Sequence, residues 1–176
     1  HPRHARRVIT AGHTGPATPL PILVLGVGNT LCGDEGIGIH VIRQLQEGMI
    51  PENVEVTDGG TGGIELLSVM EGRDRVLIVD AFESDAPAGT VLRVSAESLV
   101  ADEGLPRSAH DQSVLAVVRT ARLLGMHCPF EIIGIVPEDC TQTSLDLSPR
   151  LQALLPTITS KVRAIVEETA ASSLAC

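Results

Sequence analysis

Three short apolar runs in this chain each finish on a carboxylate. Val24-Leu25-Gly26-Val27-Gly28 leads to Asp34-Glu35, Val54-Glu55-Val56-Thr57 to Asp58, and Val76-Leu77-Ile78-Val79 to Asp80. Short runs of this kind, bounded by turn residues and rich in Val and Ile, read as strands. As parallel neighbours in one sheet they would share a carboxyl edge, which is where open α/β folds bind their ligands. Glu35, Asp58 and Asp80 are then expected to converge on one crevice. Carboxylates that crowd together repel, so such a cluster calls for a cation, a shared proton or a chemical task.

Helical and extended patterns alternate from Pro21 onward. The expected order is a strand over 21–28, a helix over 36–47 with Ile37, Val41 and Leu45 on one face, a strand over 53–57, and a Gly-rich turn. A short helix with Leu66, Leu67 and Met70 follows, then strands over 75–79 and 90–94, the latter with one wet face. Residues 96–109 read as a polar loop, and Val114, Val117, Val118, Ala121 and Leu124 as a helix closed by Gly125. A buried strand over 130–136 precedes Ser148-Pro149, an N-cap with Pro at the first helical position. The last helix pattern runs to about Glu168, with Pro156 expected to break or kink it. The fold class is α/β: a single-domain, three-layer sandwich whose mostly parallel, twisted sheet is flanked by helices. That domain is placed at 20–176. Residues 1–19 read as a disordered leader or an artificial remnant, because Arg6-Arg7 is followed by polar, Gly/Pro-rich sequence and not by the apolar segment of an export signal.

Composition excludes some classes of partner. With two Phe and no Tyr or Trp, the chain lacks platforms for stacking single-stranded bases, and a net charge of −9 repels polyanions. Nucleic acid is not an expected partner, and no apolar stretch is long enough to make a membrane one. Cys32, Cys128, Cys140 and Cys176 have no CxxC pairing, which points to a reduced, cytoplasmic protein.

Three readings compete for the glycine loop and its acids. Gly26-Val27-Gly28 after a strand could open a dinucleotide site, but Leu31 stands where a third glycine belongs and Asp34-Glu35 where a pyrophosphate needs bare amides. Cys32 before a helix could be a nucleophile with His110 or His127 as base, yet two adjacent acids would raise its pKa. Each acid also has a plain structural use: Asp34 and Glu35 can favour a helix dipole, and Asp58 and Asp80 can cap turns.

Taken together, the motifs resemble a known family. Gly26-Val27-Gly28-Asn29-Thr30-Leu31-Cys32-Gly33-Asp34-Glu35-Gly36-Ile37-Gly38, Asp58-Gly59-Gly60-Thr61-Gly62-Gly63, Val79-Asp80-Ala81, the segment around His110, and Gly134-Ile135-Val136-Pro137-Glu138 resemble, in order and spacing, the maturation endopeptidases of nickel-iron hydrogenases. The match covers 21–168; Val136 departs from it at a position that is often Gln. The resemblance implies removal of a C-terminal extension from the hydrogenase large-subunit precursor after nickel insertion. It carries the family's metal-contacting and catalytic roles to Glu35, Asp80 and His110, and substrate engagement to Asp58, Gly59, Gly60 and Thr61. It also implies that nickel comes with the substrate and that no organic cofactor is needed. Two carboxylates and an imidazole suit a divalent ion with open positions, which can polarise a carbonyl or activate water. Whether hydrolysis is aspartic-type or metal-dependent stays open at this point. A non-catalytic nickel-binding chaperone could use the same three ligands.

Overall fold

The computed structural model describes residues 18–101 and 109–174, with the backbone alone at 109–113. Among them, five strands form one sheet in the order β2-β1-β3-β5-β4: β1 (Ile22–Gly26), β2 (Val54–Asp58), β3 (Arg75–Ala81), β4 (Val91–Ser95) and β5 (Phe130–Ile135). All neighbours are parallel except β4, which runs antiparallel to β5. The expected leader therefore lies outside the described residues, apart from 18 and 19.

The parallel strands are apolar on both faces because both faces are covered. Ile22, Val24, Leu77, Val79, Ile133 and Ile135 pack with α1 (Ile37–Glu47) and α5 (Pro149–Leu174). Leu23, Leu25, Val76, Ile78, Phe130 and Ile132 meet α2 (Leu66–Met70), α3 (Ala96–Ala101) and α4 (Ala109–Leu123) on the other face. No helix among the described residues is long and apolar enough to cross a membrane.

Strand order determines where the site can be. From β1 the chain passes through α1 to β2 on one side, then through α2 on the opposite face to β3 on the other side of β1. Beyond β3 the chain passes through β4, α3 and α4 before it returns as β5, so the connections that leave β1 and β3 run to opposite sides of the sheet, the place where open α/β folds form their ligand crevice. Register brings Gly26 opposite both Asp58 and Val79, so the ends of all three strands share one edge, as the apolar runs predict.

Three expectations change. The first part of the polar loop is helical: Ala96 is buried, Leu99 and Val100 pack against the same core as α4, and Glu97 pairs with Arg122. Residues 102–108 lie outside the described residues. Pro156 does not end the last helix, which continues to Leu174. A proline inside a helix costs roughly 3 kcal/mol. Leu151, Leu155, Ile158, Val162 and Val166 are all buried along this helix, and at about 1.5–3 kcal/mol for each buried side chain the packing outweighs the lost bond. Leu124, read as the last apolar position of the helix, lies just beyond the end of α4 and is exposed.

Candidate active site

The chain leaving β1 is stitched to both neighbouring strands. Val27 N donates to Val79 O at 2.9 Å, Gly59 N to Gly26 O at 2.7 Å, and Gly28 N to Gly60 O at 2.9 Å. A 3-10 turn over Gly33–Gly36 then carries Asp34 and Glu35 into α1. Glu35 is half-buried. Asp80, the penultimate residue of β3, is 4% exposed, and its Oδ1 accepts from Ala81 N at 2.8 Å. The 3-10 turn packs against β3, so both acids stand at the carboxyl edge of the sheet.

Asp58 ends β2 on the same edge but is exposed. Its Oδ1 accepts from Gly60 N at 2.8 Å, and its Oδ2 lies 3.9 Å from Arg43 Nη2. Both partners of that ion pair face water, so it contributes little to stability. Gly60 adopts φ +59°, a left-handed conformation that makes glycine the fitting residue, and no atom occupies the space a Cβ would need. Gly60 and Thr61 are exposed and Gly59 half-buried, leaving the turn open to an extended chain.

His110 stands in the first turn of α4, and its side chain lies outside the described residues. Among the described residues, no three His, Cys, Asp or Glu side chains are grouped closely enough to hold a metal ion.

Asp34 departs from the sequence reading. It is fully buried, and its carboxylate accepts three backbone N–H groups, from Glu138 (2.9 Å), Asp139 (3.1 Å) and Ser148 (2.7 Å). A helix-dipole role would have left it at the surface. Asp58 does hold a turn through Gly60 N, as the plain reading allows, whereas the amide Asp80 accepts, Ala81 N, still belongs to β3.

The rival chemistries find little support in this geometry. The amides of Cys32, Gly33 and Glu35 already donate to Asn29 O, Ser144 O and Cys32 O, so they are not free for a pyrophosphate. Burial, then the charges of Glu35, Glu83, Asp34 and Asp139, push the Cys140 thiol up to about 12. Burial also raises Cys128. Thiols held protonated are poor nucleophiles. Cys32→Ser and Cys140→Ser are each expected to keep the cleavage rate within about threefold of wild type, because neither sulfur is assigned a bond to substrate. A folded but inactive Cys32→Ser protein would restore the thiol reading.

The same fold is found in known proteins. The family model described as hydrogenase maturation protease matches residues 39–165. The chain belongs to the hydrogenase maturation proteases. It is 33% identical over 156 residues to the hydrogenase 2 maturation protease of Escherichia coli, covering 87% of this chain and 94% of that one. It is 34% identical over 138 residues to the hydrogenase expression/formation protein HupD of Bradyrhizobium diazoefficiens, covering 73% and 68%. The solved structure of the hydrogenase maturating endopeptidase HybD from E. coli superposes with a TM-score of 0.73 at 33% identity, over 84% of this chain and 93% of that one. This hydrogenase maturation protease is accordingly a peptidase with the α/β architecture of its relatives.

Proposed function

We propose that this peptidase removes the C-terminal extension of a nickel-iron hydrogenase large-subunit precursor once nickel has been inserted, and that it recognises the nickel held by that client. The observation that carries the reading is the placement of Glu35 and Asp80 at the β1/β3 switch point of a hydrogenase maturation protease. His110 is the third member of the proposed set. Two carboxylates and one imidazole leave positions for ligands that the client brings. Their negative charge, with that of Asp58 nearby, favours a cationic centre over an empty one, an effect that salt partly screens. The open turn of Asp58, Gly59, Gly60 and Thr61 is assigned to the client's peptide. The net charge of −9 is unfavourable for nucleic acid, and a cytoplasmic location fits free thiols at Cys32, Cys128 and Cys140.

The test is incubation with nickel-loaded and nickel-free precursor at equal concentration, followed by the mass of the large subunit. Loaded precursor should lose a C-terminal fragment, and empty precursor should be cut at least about 100-fold more slowly, as expected when the ligands that position the substrate are missing. Equal rates, with metal content verified in both, would refute recognition of nickel and leave a plain endopeptidase. A nickel-binding protein that released no fragment from either precursor would fit the chaperone reading, which the protease names of its relatives make the weaker one.

A further inference from the structure

Resting on that reading of the site, we infer that Asp34 is a positioning residue: its carboxylate fastens the 137–148 segment across the carboxyl edge as a fixed wall of the Glu35–Asp80 crevice. The three amides it accepts lie 104, 105 and 114 residues downstream and come from both ends of that segment. The middle of the segment is held by a second device. Ser144 forms an isolated parallel bridge with Cys32, in which Ser144 N donates to Leu31 O at 3.0 Å and Gly33 N to Ser144 O at 2.8 Å. The segment is thus tied at three places to the loop that carries Glu35.

Its course takes it past the site. Cys140, next to the Asp139 anchor, is half-buried, and of the charges that act on its thiol that of Glu35 is the strongest. Asp34 and Glu35 are adjacent in one 3-10 turn, so fixing the first carboxylate also fixes the backbone from which the second projects. An ionised acceptor makes stronger amide bonds than a neutral one. Asn at this position would keep the shape, but it would lose the charge and turn an N–H₂ toward one or two of the donors. The segment would then remain attached mainly by the Ser144 bridge, and Glu35 would lose its fixed orientation. Misplacement of a reacting group by about 1 Å is enough to cost about 100-fold in rate.

The experiment separates fastening from general stability by restoring the tie through a different bond. Wild type, Asp34→Asn and Asp34→Asn/Ser144→Cys are compared on nickel-loaded precursor, below the melting temperature of each. Cys32 and Ser144 are bridge partners, and neighbours of that kind meet the separation a disulfide needs. Oxidation with diamide would therefore tie the segment to the Glu35 loop without Asp34. Asp34→Asn should lower kcat by about tenfold or more, with KM changed less than about threefold, and speed amide exchange across 137–148. The oxidised double variant should recover kcat to within about threefold of wild type and slow that exchange, and dithiothreitol should reverse both. If Asp34→Asn alone does not fold, the oxidised double variant carries the same test through its dependence on reductant. Wild-type kcat in Asp34→Asn, unchanged exchange, or a closed disulfide that slows exchange without restoring kcat would overturn the inference. Failure of the wild-type protein to cut loaded precursor would bring down the reading of the site itself, and the positioning role of Asp34 with it.

Discussion

Glu35→Gln, Asp80→Asn and His110→Ala are each expected to lower precursor cleavage by about 100-fold or more while leaving the fold intact. Losses of this size follow when a group that holds or orients the reacting centre is neutralised. The first two changes keep side-chain shape. Glu35 is half-buried at the mouth of the crevice, so its charge contributes little to packing. Asp80 is buried, but the acceptor it offers Ala81 N is one that an Asn oxygen also supplies. Melting temperatures within a few degrees of wild type are expected for both, equivalent to about 1 kcal/mol in a domain of this size. The check is a circular-dichroism melt beside a processing assay read by mass. Wild-type processing by all three folded variants would sink the proposed site.

The convergence of acids on one edge was legible because it depends on a short-range pattern and one rule of topology. Each apolar run ends within a few residues of a carboxylate, and parallel neighbours align their carboxyl ends, here with Gly26 opposite Asp58 and Val79. The different environments of the acids were not legible. Asp58 and Asp80 both follow strands, yet one is exposed and the other 4% exposed, because β2 is an edge strand and β3 is central.

Asp34 shows where local reasoning stops. In sequence it is one of two acids entering a helix, and its neighbours Gly33, Glu35 and Gly36 offer no cation or donor side chain. Its partners are backbone amides from the far end of the chain, which have no signature in residue type. The available signal was indirect: two adjacent acids cannot both face one small crevice from a single tight turn. Pro156 shows the same effect in the core. Its local penalty is legible, but the apolar surface that the helix covers is known only once the sheet is assembled.

Gly38→Ala is expected to destabilise the protein by about 3 kcal/mol, lowering the melting temperature by roughly 6–12 °C. In an exposed helix interior the same change would stabilise by about 1 kcal/mol, so the sign decides between propensity and packing. Gly38 is the second residue of α1, and a Cβ there would fall on the carbonyl oxygens of Val79 and Val27, well inside contact distance. Neither oxygen belongs to a side chain that can turn away, and Val79 O is already fixed by Val27 N at 2.9 Å. The helix would have to lift off the sheet, pulling Ile37, Val41 and Ile42 from the core they share with Val24 and Val79. Chemical denaturation of the variant provides the check, and a midpoint at or above that of wild type would show that the helix seats more loosely. The close seating has a second consequence for cleavage. Asp80 follows Val79, and Glu35 lies three residues before Gly38, so lifting the start of α1 off Val79 O would shift the backbone that carries Glu35 relative to the end of β3. A folded Gly38→Ala protein should therefore lose activity more steeply than its residual stability alone would explain.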